Sequence, residues 1–149
     1  MSSSSTSLVD PLTDDTVLYQ RVQQFYAHQM QLLDSGETQA WADTFAENGV
    51  FAANAHPDPC VGRANIAEVA GRNSAAFAGQ GLIRRHWLGM LDVSRSPEGI
   101  RVRSYALVFE TPAGGPSALR ASTTCEDLLS PAGDTFVVSH RQVVRDDLR

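Results

Sequence analysis

The chain has 149 residues, of which 42% are hydrophobic and 19% charged, and its formal net charge is -5. This length fits a single domain, and the balance of apolar and charged residues is typical of a globular protein. The acidic balance disfavours binding to nucleic acid, whose phosphate backbone attracts basic surfaces.

The first twelve residues are rich in serine and threonine, lack apolar periodicity and include Pro11. This composition predicts a disordered tail at residues 1–12 and one domain at residues 13–149. The start of the chain lacks the basic and apolar regions of a signal peptide, and no run reaches the roughly 20 apolar residues of a membrane span. We therefore expect a cytoplasmic protein that has no membrane partner.

Two helices are predicted before the first strand. Between residues 14 and 33, apolar residues recur at mostly helical intervals, acidic residues occupy the first turn, and Gly36 marks the end. A shorter helix is predicted for residues 38–47, where Trp41 and Phe45 lie one turn apart on one face. Both aromatic residues are expected to pack in the core.

A short strand, a loop and a third helix follow. The strand is predicted at residues 50–54, and Pro57 and Pro59 exclude helix and central strand from the loop after it. Apolar residues at helical spacing predict a helix for residues 63–77, which packs back over the domain.

The second half of the chain is predicted as four long strands. Turn segments rich in proline and glycine separate them, as is typical of hairpins. Because each stretch exceeds the usual strand length of about five or six residues, we expect a strongly curved antiparallel sheet. The order α-α-β-α-β-β-β-β predicts an α+β fold with helices on one face of the sheet. The strands are predicted at residues 82–93, 100–110, 117–129 and 134–145.

Several short motifs occur in an order and spacing that match a known superfamily. They are Asp34-Ser-Gly followed by Trp41 and Phe45, Glu47-Asn-Gly-Val-Phe51, Gly62-Arg-Ala-Asn-Ile66, Arg84-Arg-His-Trp87, and TTCEDLL followed by SHRQVVRDD. On these motifs the chain resembles the nuclear transport factor 2-like superfamily over residues 14–146. Within it the chain is similar to the SnoaL-like branch, which includes polyketide cyclases and small dehydratases as well as non-catalytic proteins.

The resemblance implies a cone-shaped α+β barrel, in which a curved antiparallel sheet wraps around the long first helix. It also implies an apolar cavity with a few polar groups at its open end, which is the expected ligand site. Ala52 stands where the ketosteroid isomerase branch has its general-base aspartate. Isomerisation by that device is therefore not expected.

His86 is the first candidate for chemistry. Strand alternation places Arg84, His86, Leu88 and Met90 on one face. A histidine among apolar neighbours on a pocket face can act as a general acid or base at neutral pH. The run resembles the histidine-bearing strand of scytalone dehydratase, which implies a place in the active site. The alternative is a packed, hydrogen-bonded histidine of the core or an interface.

Asp34 and Tyr26 are the other two catalytic candidates. Asp34, at the end of the first helix, falls where the dehydratase that the chain resembles has an aspartate that bonds an imidazole or an active-site water. A pair of Asp34 with His86 would set the imidazole tautomer and raise its basicity. Tyr26 lies about two helical turns earlier on a similar face and offers a hydroxyl to a substrate carbonyl. The alternatives are a turn aspartate beside Gly36 and an ordinary packed tyrosine.

Seven further residues are expected to line the pocket. Thr123 and Cys125 share a strand face, although a buried cysteine usually behaves as a small apolar residue. A structural or surface role is the alternative for Asn54. We find no histidine and carboxylate spacing that indicates a metal, and we expect no cofactor. The pocket candidates are Arg84, Asn54, Thr123, Cys125, Trp41, Leu88 and Met90.

We interpret the chain as a small cofactor-independent enzyme of aromatic polyketide tailoring, of lyase or isomerase type. It would catalyse cyclisation, dehydration or a related proton transfer on a hydrophobic carbonyl substrate. The alternative is a non-catalytic metabolite-binding or accessory protein that uses the same pocket. A homodimer through the sheet face is expected, because Trp87, Val102, Val108 and Val143 cannot all be buried on one side of a single sheet.

Overall fold

A long amphipathic helix, α1 (Asp15–Asp34), opens the part of the chain that the computed structural model describes, residues 14–149. The predicted tail at residues 1–12 lies outside the described residues. Asp14 caps the helix, because its Oδ1 accepts hydrogen bonds from the backbone N–H groups of Thr16 and Val17. Within residues 14–149, no helix is long and apolar enough to cross a membrane.

Eight further helices and strands and a terminal turn follow α1, largely where the sequence predicts them. They are α2 (Thr38–Ala42), β1 (Phe45–Ala53), β2 (Cys60–Val61), α3 (Arg63–Gly79), β3 (Leu82–Ser96), β4 (Gly99–Pro112), β5 (Ala118–Ala132), β6 (Thr135–Arg145) and a 3-10 turn at Asp146–Leu148. The short strand β2 was not predicted. Its two residues pair only with β1, at the edge of the sheet.

The second helix is shorter than predicted, since α2 ends at Ala42 and not at residue 47. Thr44 explains the early end: its hydroxyl donates to the carbonyl of Trp41, and its own carbonyl accepts the N–H of Val138 in β6. From Thr44 onward the backbone therefore bonds to β6 and no longer continues the helix. Phe45 consequently opens β1 and is fully buried, so its expected place in the core is confirmed although its secondary structure is not.

The six strands form one curved, open sheet in the order β2-β1-β6-β5-β4-β3. Consecutive pairs from β3 to β6 are antiparallel, as predicted, but β1 pairs with β6 in parallel. Register shifts interrupt the β3–β4, β4–β5 and β5–β6 ladders. Because bulges bend a strand and increase its twist, they explain how such long strands curve. The predicted α+β fold is confirmed.

The helices pack on one side of the sheet, which we call the inner face; the other side is the outer face. Leu18, Val22 and Phe25 of α1 meet Val102 and Phe136 of the inner face in the main core cluster. Val102 and Val108, which we expected to contribute exposed apolar surface, are buried, with exposed fractions of 1% and 6%. The reason is strand alternation, which turns both side chains toward the helices.

Candidate functional site

The end of α1 is built so that Asp34 is its last residue. Gly36 has a φ of +77°, which favours glycine, and it closes the helix. The N–H of Glu37 bonds the carbonyl of Leu32, and the N–H of Gly36 bonds that of Leu33. This double hydrogen bond is the Schellman arrangement, so the predicted stop at Gly36 is confirmed. The helix therefore ends where the Asp34 side chain reaches strand β3.

Asp34 holds His86 by two hydrogen bonds. One carboxylate oxygen lies 2.6 Å from His86 Nδ1, and the other accepts the backbone N–H of His86 at 3.0 Å. Since β3 is an edge strand, Asp34 accepts an N–H that no neighbouring strand takes. The structure thus brings Asp34 and His86 together, a contact that the sequence left open. Both side chains are largely buried, with 21% of His86 and 7% of Asp34 exposed.

The pairing determines which imidazole nitrogen can act as a base. An ionised carboxylate only accepts hydrogen bonds, so Nδ1 carries the hydrogen in this arrangement and Nε2 carries the lone pair. Within residues 14–149, the hydrogen bond of the His86 ring goes to Asp34. Nε2 is therefore available to take a proton, and Asp34 is placed to stabilise the imidazolium that results.

Arg84 lies two residues before His86 on the same face of β3. Its Cζ is 4.0 Å from the centroid of the Phe77 ring, and its Nε is 3.8 Å from a carboxylate oxygen of Glu110, which faces it across β4. Burial lowers the pKa of the Arg84 guanidinium, and the charge of Glu110 opposes that shift only in part. A partly desolvated cation thus stands beside the His86–Asp34 pair.

Small and apolar side chains continue the inner face away from His86. Leu88 follows His86 on the same face of β3, and Val108 lies opposite His86 on β4. Ala106 of β4 lies between Leu88 of β3 and Thr123 of β5. The Thr123 hydroxyl donates to the carbonyl of Ala106 at 2.9 Å. Thr123 and Leu88 therefore lie on the inner face together with His86, and their role as pocket residues stays a prediction. Among residues 14–149, four buried apolar residues lie outside the main core cluster, namely Met30 on α1 and Ala106, Val108 and Cys125 on the inner face.

Met90 does not belong to this wall, and its predicted place on the inner face is wrong. The β3–β4 register shifts between Gly89 and Asp92, and Met90 takes a φ of +56°. Because the bulge inserts an extra residue, the alternation reverses. Met90 is 77% exposed, and Leu91 packs against the core in its place. Gly89 was the signal in the sequence, since glycine within a strand often marks a bulge.

Tyr26 takes part in a second polar cluster, buried between α1 and the sheet. Its hydroxyl donates to Asp127 at 2.7 Å, and Arg141 binds both carboxylate oxygens of Asp127 at 3.0 and 2.9 Å. Arg141 also donates to Gln29, whose amide reaches the Thr44 hydroxyl. We call these five residues the buried polar cluster. The structure does not join Tyr26 to His86 or Asp34.

Charge and burial keep Tyr26 and Arg141 of this cluster protonated. Burial raises the pKa of Tyr26 well above its usual value, and the negative charge of Asp127 raises it further, so the phenol stays protonated. Burial by itself would lower the pKa of Arg141, but the carboxylate of Asp127 outweighs it and the net shift is upward. Strand alternation puts Asp127 on the same face as Cys125 but indicates no role for it, and nothing in the sequence pattern singles out Arg141.

Two other candidates occupy structural positions. Trp41 is 5% exposed and packs edge-on against Phe45, with ring centroids 4.9 Å apart. Asn54 is exposed, and its side-chain amide both donates to and accepts from the backbone of Arg145, which joins the ends of β1 and β6. Trp41 is thus a core residue, and Asn54 has the structural role that was the alternative to a place in the pocket.

Cys125 is buried on the inner face, whereas Cys60 is half-buried on the edge strand β2. Burial raises the pKa of both thiols. We expect a thiol reagent at neutral pH to modify Cys60 in the folded protein and Cys125 only after unfolding, since the reagent attacks exposed thiolates. Counting labelled thiols with and without urea tests this. Cys60→Ser should remove the native-state reaction, and a Cys60→Ser protein that still labels rapidly would contradict it.

Two surface depressions of the described structure lie away from His86. One of about 390 Å³ lies between the start of α1 and the end of β3, beside Asp15, Tyr19 and Arg95. The other, of about 570 Å³, lies on the outer face beside Trp87, Met90 and Tyr105. Within residues 14–149, no group of three or more histidine, cysteine or acidic residues is arranged to hold a metal ion.

Comparison with known proteins gives consistent matches. A family model described as a SnoaL-like domain matches residues 16–142. ActVI-ORFA from Streptomyces coelicolor is 31% identical, with a TM-score of 0.81 over 88% of this chain and 96% of its own. Aln2 from a Streptomyces species is 29% identical, with a TM-score of 0.80 over 88% of this chain and 92% of its own. A protein from Catenulispora acidiphila in complex with S-DNPA is 31% identical, with a TM-score of 0.76 over 89% and 96%. Among curated proteins, none matches significantly.

Proposed function

The chain belongs to the SnoaL-like family, as its motifs predicted, and from this premise we propose that it is a cofactor-independent enzyme of aromatic polyketide tailoring. Its substrate is a hydrophobic compound with several carbonyl groups, and the reaction is a cyclisation, a dehydration or a related proton transfer. The protein acts in the cytoplasm, the location expected from its sequence.

The observation that carries this proposal is the His86–Asp34 pair. A base that removes a proton next to a carbonyl needs a free lone pair, a set orientation and a counter-charge for its protonated form. His86 Nε2 supplies the first, and the two hydrogen bonds of Asp34 supply the other two. The apolar wall formed by Leu88, Ala106 and Val108 lies beside the pair and suits a hydrophobic substrate.

In the proposed reaction, His86 Nε2 removes a proton from the carbon next to a substrate carbonyl, and the C–H electron pair forms an enolate. In a cyclisation, the enolate carbon attacks a second carbonyl, and the imidazolium returns its proton to the new alkoxide. In a dehydration, the imidazolium gives its proton to a departing hydroxyl, which leaves as water. Tyr26 acts in neither step, because its hydroxyl donates to Asp127 in the buried polar cluster.

The relatives support a small-molecule site of this kind. The Catenulispora acidiphila protein binds S-DNPA, and it covers 89% of this chain at 31% identity. The same observation supports the second candidate, a protein that holds a metabolite without changing it. Incubation with aromatic poly-carbonyl compounds separates the two candidates: product formed only with active protein supports the enzyme, and a complex in native mass spectrometry with unchanged ligand supports the binding protein.

We further propose that two copies associate through the outer face. Trp87 is 72% exposed, Tyr105 56% and Ile83 54%, and these side chains lie on the adjacent strands β3 and β4. Exposed apolar area of this kind marks interfaces. The residues that form this surface differ from those expected from the sequence, because Val102 and Val108 are buried within one chain.

Trp87→Glu is expected to convert a wild-type dimer into a monomer, because it places a charge in the apolar contact. Sedimentation velocity at micromolar concentration measures the change. Arg72→Glu is the matched control, since Arg72 is exposed on α3, away from the outer face, and this variant should stay dimeric. A wild-type protein that sediments as a monomer would contradict the proposal.

A further inference from the structure

Arg84 has a donor that the fold leaves unused. Among residues 14–149, the buried side-chain nitrogen and oxygen atoms without a hydrogen-bond partner are Arg84 Nε and Trp41 Nε1. A buried donor of a charged group costs more to leave unpaired than a neutral one. Trp41 is enclosed by core aromatics, whereas 23% of the Arg84 side chain is exposed beside His86. Only in the arginine does the charged group that holds the unused donor also have an exposed part.

The surroundings of Arg84 orient its guanidinium without neutralising it. The ring of Phe77 lies under its Cζ at 4.0 Å. Glu110 is the nearest carboxylate and stands between two cations, 3.8 Å from Arg84 Nε and 3.9 Å from Arg120 Nε. Both distances exceed those of hydrogen bonds. The two arginines thus share the charge of Glu110. A carboxylate in front of Arg84 would therefore meet a cation that has free donors.

We propose that Arg84 recognises a carboxylate of the substrate and thereby positions the reacting carbon at His86. This inference rests on the proposed function and adds that the substrate is a carboxylic acid. A guanidinium binds a carboxylate through two parallel hydrogen bonds, which restricts both distance and orientation.

The spacing of the two residues limits the substrate further. Arg84 and His86 are two residues apart on one strand face, a separation of roughly 7 Å between their Cα atoms. A carboxylate held by Arg84 therefore places a carbon a few bonds away against Nε2 of His86. The carboxylate accordingly belongs on a short side arm of the substrate, close to the carbonyl that is enolised.

Titration calorimetry with naphthylacetate and its methyl ester tests the inference. The two probes share an aromatic body and differ in the negative charge. Wild-type protein should bind the acid about tenfold or more tightly than the ester, since a charge-assisted pair is replaced by a neutral contact. In Arg84→Gln this preference should vanish while the affinity for the ester is unchanged. Arg85→Gln removes the same charge from the opposite face and should behave as wild type.

Glu110→Gln provides a second arm that does not depend on the folding of the Arg84 variant. Removing this carboxylate frees Arg84, so the acid should bind more tightly and the ester should not. Equal affinity of wild-type protein for acid and ester, or an acid preference that survives in Arg84→Gln, would overturn the inference. Binding does not require turnover. An acid preference that depends on Arg84, found without catalysis, would therefore support carboxylate recognition by Arg84 and contradict only the proposed enzymatic function.

Discussion

Replacing His86 by alanine is expected to lower kcat/KM by about 10²- to 10⁴-fold, the usual contribution of a general acid or base. The variant loses the lone pair of Nε2 and the group that carries the proton to the second step. Because His86 lies on an edge strand and is partly exposed, the fold should be retained. Steady-state kinetics together with circular dichroism measure both effects.

Two further variants make the result specific. His140→Ala removes an exposed histidine of β6 and should leave kcat/KM unchanged. Asp34→Asn preserves the shape of the partner, but an amide donates as well as accepts, so it allows the tautomer in which Nε2 carries the hydrogen. This variant should lose activity although His86 is present. Full activity in His86→Ala would remove His86 from the mechanism.

Breaking the buried polar cluster is expected to cost about 3–5 kcal/mol of the free energy of unfolding, because a buried charge is left without its partner. Arg141→Met is the informative change: Asp127 would keep the hydrogen bond from Tyr26 but lose both bonds from the guanidinium, and Gln29 would lose its donor. Urea unfolding of the variant and the wild type gives the difference.

The outer face of the sheet contains a matched control for this prediction. Arg103 and Glu126 also pair across neighbouring strands, at 3.2 Å, but their side chains are 71% and 63% exposed. Exposed pairs contribute about 0–1 kcal/mol, so Arg103→Met should change stability little. Replacing Arg141 and Asp127 together by apolar residues should restore part of the loss. Similar unfolding free energies for Arg141→Met and Arg103→Met would show that burial does not govern the pair.

Periodicity and turn residues predicted most elements because they report local preferences. Gly36 ended α1 where its positive φ requires glycine, and the hairpin segments separated β3 to β6 close to the observed bounds. Prediction failed where a distant strand decided the local structure. Phe45 leaves the helical pattern because β6 offers backbone partners next to it, and such pairing has no signature in the residues around Phe45.

The amino-acid sequence by itself determined the α+β order, the face of β3 on which His86 lies and the presence of an aspartate at the end of α1. Those properties follow from helical and strand periods, which neighbouring residues set. Tertiary structure alone decided that Asp34 reaches both the ring and the backbone of His86, that the bulge turns Met90 outward, and that Tyr26 serves Asp127. Each depends on the register and curvature of the sheet, which bring together atoms far apart in the chain.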